Sequence, residues 1–158
     1  MRERDFDPTN AELLAQLRRI PPFAQLEDAQ MRAVAGQARM RKYETGEVVI
    51  REGDYDHWVF FLVQGELAIS HKGVQVGALR RLGDVFGEMG ILDGSPRSAT
   101  IRALTPALCL ALDASVFERL EGRDRCAVEV VFYRVFCEIL AVRLRQMDQL
   151  LAEAKRRP

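Results

Sequence analysis

Between Tyr43 and Leu112 the chain breaks into six short β-rich runs: Val48 to Arg51, Trp58 to Val63, Glu66 to His71, Val74 to Leu82, Ser98 to Ala103 and Ala107 to Leu112. Turn-forming dipeptides separate them, at Thr45-Gly46, Gly53-Asp54, Gln64-Gly65, Lys72-Gly73, Gly83-Asp84, Asp93-Gly94 and Thr105-Pro106. Glycine reaches positive φ without a steric penalty and aspartate closes local side-chain turns, so these breaks have a physical cause. Short strands at this spacing predict a small antiparallel sandwich or barrel. One stretch interrupts the rhythm. Gly83 to Pro96 is too long for a hairpin and too apolar for a plain loop, and long loops in compact domains are usually functional.

Helical patterns flank this region. Thr9 or Asn10 is placed to cap a helix carrying Leu13, Leu14 and Leu17, which Pro21-Pro22 stops. A second helix is predicted from Glu27 to about Ala38, after which Arg39 to Tyr43 leads toward a different period. Past Asp113, Ser115 to Leu120 reads as a short helix, Gly122 allows a break, and Arg125 to Ala154 runs without proline or glycine. That last segment carries apolar positions at Tyr133, Cys137, Leu140, Leu144, Met147, Leu151 and Ala154, at the alternating spacing of a coiled-coil seam. Thirty helical residues extend about 45 Å. The first half is therefore expected to pack on the β-region, and the second half to pair with another copy.

Charge and cysteine usage narrow the classes. Lys plus Arg (23) equals Asp plus Glu (23), so no overall basic field recruits nucleic acid or an anionic membrane. Cys109, Cys126 and Cys137 lack metal or redox spacing and read as small hydrophobes in a reducing compartment, which makes the cytoplasm the expected location. The charged start MRERDFDPTN is no secretory signal, and the longest apolar run is too short to span a bilayer, so no membrane insertion is expected. With only His57 and His71, and with no nucleophile elbow or Walker loop, the chain shows no catalytic or metal-binding apparatus. The expectation is a binding protein with neither a metal nor a resident cofactor.

Phe86 to Thr100, FGEMGILDGSPRSAT, has the makings of an anion site. Gly87 and Gly90 admit close backbone approach, and Met89, Ile91 and Leu92 suit one helical turn whose first N–H groups lack intrahelical partners. Pro96-Arg97-Ser98 then supplies a guanidinium fork and a hydroxyl, both matched to phosphate oxygens.

FGE, a short apolar helix and PRSAT at this spacing resemble the phosphate-binding cassette of the cyclic-nucleotide-binding domain family, of the catabolite activator and protein kinase A regulatory subunit type. The resemblance extends to LxxIPxF from Leu17 to Phe23, to YETGEVVIREGD from Tyr43, to FFLVQGELAIS from Phe60 and to RRLGDVFGE. It implies an α+β, mainly β fold: an antiparallel β-roll or jelly roll flanked by N-terminal helices and a long C-terminal helix. On that pattern residues 1–12 form an N-terminal tail, 13–124 the nucleotide-binding domain and 125–158 a lid and dimerisation helix. Gly87, Arg97 and Ser98 would bind the phosphate of cAMP or cGMP, with cAMP the first choice, and Glu88 would accept from the ribose 2′-hydroxyl. Val74, Val76, Leu79 and Phe86 are candidates for the base wall. The closing residue is less defined. Met147 and Asp148 stand where relatives of the catabolite activator type offer a Thr-Ser pair, and Arg143 or a residue nearer Tyr133 are alternatives. With only Lys155-Arg156-Arg157-Pro158 after the helix, the resemblance implies a stand-alone sensor acting through a homodimer or an unknown protein effector. The alternative expectation is a scaffold that keeps the fold without binding nucleotide.

Overall fold

The computed structural model describes residues 1–7 and 9–156. Among the described residues nine strands form two sheets in which every pairing is antiparallel. The first sheet has the order β1 (Arg2–Asp5), β2 (Ala38–Tyr43), β9 (Ala107–Asp113), β4 (Trp58–Gln64) and β7 (Val85–Phe86). The second has the order β3 (Val48–Ile50), β8 (Thr100–Ala103), β5 (Leu67–His71) and β6 (Val74–Leu79). Helices α1 (Ala11–Leu17), α2 (Asp28–Ala35), α4 (Val116–Arg119) and α5 (Gly122–Arg156) flank this β-roll, and α3 (Met89–Asp93) lies within the connection from β7 to β8.

The central strands explain the architecture. β4 is apolar at consecutive positions because both of its faces are covered. Val59 and Phe61 belong to a core shared with the helices, while Phe60 and Leu62 belong to the core between the sheets. β9 divides the same way, with Leu110 and Leu112 toward the helices and the smaller Ala107, Cys109 and Ala111 inside the roll. Small residues there let the two sheets approach.

Phe132 docks α5. Its ring, fully buried, meets Phe23, Phe61, Phe117 and Phe136 at centroid separations of 5.6, 6.3, 5.0 and 6.0 Å, all edge-to-face. The buried residues of α5 are Val128, Phe132, Val135 and Phe136, so only its first half is held by the core. Beyond Phe136 no described residue of α5 is buried.

Several boundaries differ from the expectation, each for a physical reason. The charged stretch before residue 12 is no mere tail: Arg2–Asp5 pairs with Lys42–Arg39 as an edge strand. It faces β2 with ion-paired side chains, Glu3 with Arg41 and Asp5 with Arg39, which leave no apolar period to read. α2 stops at Ala35, with Gly36 capping its end, and Ala38 already belongs to β2. β6 ends at Leu79 and β8 begins at Thr100, because Arg80 and Arg81 turn on Asp84, and Ser98-Ala99 bends toward the loop after β3. The short β7 pairs only Val85 and Phe86 with β4. Asn10 is the cap of α1, accepting from the N–H groups of Glu12 and Leu13. α5 starts at Gly122 rather than Arg125.

Truncating Phe132 to alanine is expected to cost about 3–5 kcal/mol. Urea unfolding of the variant checks this. An unchanged midpoint would mean that α5 is not docked through this ring.

Candidate functional site

β5, β6, the segment from Val85 to Ala99 and one face of α5 enclose a groove of about 1110 Å³. Its floor is built around Arg97. This side chain is 4% exposed, and a buried guanidinium needs its hydrogens matched. Nε donates to Asp56 Oδ2 at 3.1 Å, Nη2 donates to Asp56 Oδ1 and to the Trp58 carbonyl, and Nη1 donates to the Gly87 carbonyl at 2.5 Å. Of the five N–H hydrogens of arginine, one on Nη1 remains without a partner among the described residues.

Gly87 makes this arrangement possible. Its φ is 83°, and a Cβ there would lie 2.7 Å from Arg97 Nη1 and 2.9 Å from the Trp58 carbonyl oxygen. No other residue type fits. Next to it, Glu88 is 1% exposed and receives Arg143 Nη1 of α5 at 2.6 Å, while Arg143 Nη2 donates to the Val85 carbonyl. α5 is thus latched to the stretch that carries Gly87. Burial pushes the Glu88 carboxyl above its ordinary range, and the nearby Arg143 charge offsets only part of that. Asp56 behaves oppositely. Burial raises it, but hydrogen bonds from Arg97 and the Trp58 N–H, with the Arg97 and Arg41 charges, outweigh that and hold it below the ordinary 3.8.

The groove collects most of the residues singled out in the sequence. Gly87, Glu88, Arg97 and Ser98 line one end; Val76, Leu79 and Phe86 line the β-roll wall; Arg143 and Met147 line the α5 wall. Phe86 is itself buried and stacked on Phe60 at 5.1 Å, so little of its surface is open to the groove. Val74 is not in the lining. A register shift between Ile69 and Ser70 breaks the strand alternation, leaving Val74 opposite His71 at the hairpin turn, 65% exposed. Asp148 and Tyr133 also lie outside it; Tyr133 packs against Phe117 and Phe136. Two participants went unseen in the sequence. Asp56 stands 41 residues from Arg97 and looks like a turn residue, and His71 carries no motif. Among the described residues no cluster of three or more His, Cys, Asp or Glu side chains is arranged for a metal ion.

The sequence profile of the cyclic nucleotide-binding domain matches residues 40–124. The chain belongs to this family. It is 31% identical over 137 residues to a cAMP-dependent protein kinase regulatory subunit of Pyricularia oryzae, covering 86% of this chain and 34% of that one. It is 29% identical over 118 residues to a cGMP-dependent protein kinase of Eimeria tenella, covering 75% of this chain and 11% of that one. These shares mean that the chain spans about a third or less of either relative. Among solved structures, a cyclic nucleotide-binding domain from Methylobacillus flagellatus superposes with a TM-score of 0.71 at 20% identity, covering 90% of this chain and 82% of that one. That likeness concerns the fold: the β-roll with its long C-terminal helix is the architecture of the family. The relatives divide between cAMP and cGMP in what they are named for.

The lowered Asp56 sets a pH dependence. A carboxyl whose folded value lies below its unfolded one stabilises the fold fully above about pH 3.8, and that contribution is lost as pH falls through the depressed value. Asp56→Asn is therefore expected to be less stable at neutral pH and to lose less on acidification from about pH 4 to about pH 2. Thermal unfolding across that range checks it; parallel profiles would exclude Asp56 as the partner that matters.

Proposed function

We propose that this chain is a cyclic-nucleotide receptor whose C-terminal helix moves on binding. The observation that carries the reading is the convergence of Gly87, Glu88, Arg97 and Ser98 at one end of a groove between the β-roll and α5. The remaining Nη1 hydrogen of Arg97 and the Ser98 hydroxyl supply donors for the cyclic phosphate, and Glu88 supplies the acceptor for the ribose 2′-hydroxyl. Val76 and Leu79 on one side, with Arg143 and Met147 on the other, would hold the purine. cAMP is the first candidate and cGMP the second.

Mechanism follows from the latch. Arg143 joins α5 to the same carboxylate that a ribose would use, so nucleotide and helix position share Glu88. A ligand that interacts differently with the latched and released arrangements shifts their populations by that difference. The swing of α5 would be read by a protein effector or by a second copy. α5 carries two apolar stripes. Val135, Ile139 and Val142 face the groove, whereas Cys137, Leu144 and Leu151 lie on a separate face, with Met147 bordering both. Together with Leu140, Met147 and Ala154 the second stripe has the alternating three- and four-residue spacing of a self-pairing helix, which supports a homodimer. Sedimentation is expected to give a dimer for the wild type and a monomer for Leu144→Glu; a monomeric wild type would remove the seam from the account.

Calorimetric titration tests the receptor itself. Arg97→Ala is expected to lose about 2–5 kcal/mol of cAMP binding, as when one member of a buried charged pair is removed. Because Arg97 also holds Asp56, a ligand-side change keeps the test clean. The 2′-deoxy analogue of cAMP is expected to bind the wild type about tenfold more weakly, the discrimination vanishing in Glu88→Ala, which has no side-chain acceptor. Absence of cAMP and cGMP binding at millimolar concentration would instead support a scaffold in which Arg97–Asp56 and Glu88–Arg143 are purely structural pairs.

A further inference from the structure

His71 ends β5 on the wall of the groove, half exposed, and joins three segments distant in sequence. Its Nδ1 lies 2.9 Å from the Ser98 carbonyl and 3.1 Å from Glu52 Oε1. Both of these partners are acceptors, so Nδ1 carries a hydrogen whether the ring is neutral or charged. Glu52 is fixed in turn: its Oε2 accepts from the Lys72 N–H at 2.9 Å, and its own N–H donates to Thr100 Oγ1 at 3.0 Å. The loop after β3, the β5–β6 turn and the segment from Ser98 to Thr100 are thereby tied together through one imidazole and one carboxylate. None of this is needed to bury a core, because His71 and Ser98 are both accessible.

The tie acts on a particular peptide unit. Ser98 C=O and Ala99 N–H belong to one planar trans group and point in opposite directions, so a donor that holds the carbonyl also sets the direction of the N–H. Ala99 is itself part of the groove wall, one residue beyond Ser98 and two beyond Arg97. We propose that His71 is a positioning residue of the nucleotide site, orienting the Ser98–Ala99 peptide from the β-roll side so that its N–H is held for an anionic ligand. The inference rests on the receptor reading above. Its charge surroundings are Glu52 from the loop after β3, Lys72 beside it, Arg97 with Asp56 across the Ser98 segment, and Glu88 further along the groove.

The test is calorimetric titration of cAMP and cGMP into the full chain for wild type, His71→Leu and His71→Gln. His71→Leu should lose about three- to tenfold in affinity, the range of one hydrogen bond. His71→Gln keeps a side-chain N–H donor, so it should recover most of the affinity. Equal affinities for wild type and His71→Leu would overturn the role of His71 while leaving the receptor reading in place. An equal loss in both variants would assign the effect to packing and also overturn it. If wild type binds neither nucleotide, the receptor reading and this inference fall together.

Discussion

A guanidinium buried to 4% exposure is the constraint around which the site is arranged. An unpaired charge in that position would cost several kcal/mol, on the order of the whole stability of a domain, so Arg97 requires a matched set of acceptors. Asp56 provides two, and the Trp58 and Gly87 carbonyls provide the others. Each acceptor places a demand on the chain. Asp56 must sit at the entry to β4, where its carboxylate also caps the Trp58 N–H. Gly87 must have positive φ and no side chain. The loop after β3 must run alongside, with the Gly53 N–H donating to the Arg97 carbonyl and the Arg97 N–H to the Asp54 carbonyl.

The second pair has a different character. Glu88 and Arg143 come from the β-roll and from α5, and the carboxyl is raised by burial that its partner only partly offsets. Asp56 and Arg97, with the acid held low, lie within the roll, whereas Glu88 and Arg143 join the roll to α5 beyond the part of that helix that the core buries.

Much of this was legible in the chain itself. Gly87, Glu88, Arg97 and Ser98 lie within twelve residues, where turn geometry, a helix start and an arginine fork can be read locally, and the structure brings them to one groove. Arg143 and Met147 were named as closing candidates and do line the α5 wall. What escaped reading depends on register or on distance. β1 has no apolar alternation, because its four residues are charged and exposed and only the pairing with β2 shows the strand. Val74 is a base-wall candidate by residue type alone, and the register shift in the β5–β6 hairpin leaves it at the turn, outside the groove. Asp56 and His71 resemble ordinary turn and strand-end residues until folding puts them beside Arg97 and Ser98.

The sequence by itself determined the strand rhythm, the break from Gly83 to Pro96 and the kinds of donor available there, because glycine, proline and hydrophobic period act over a few residues. Tertiary structure decided which groups those donors meet. The fifth hydrogen of Arg97, the latch on Glu88 and the tie from His71 to Ser98 each depend on contacts 10 to 55 residues apart in the chain. Burial and charge pairing are properties of that assembled surface, and no local pattern encodes them.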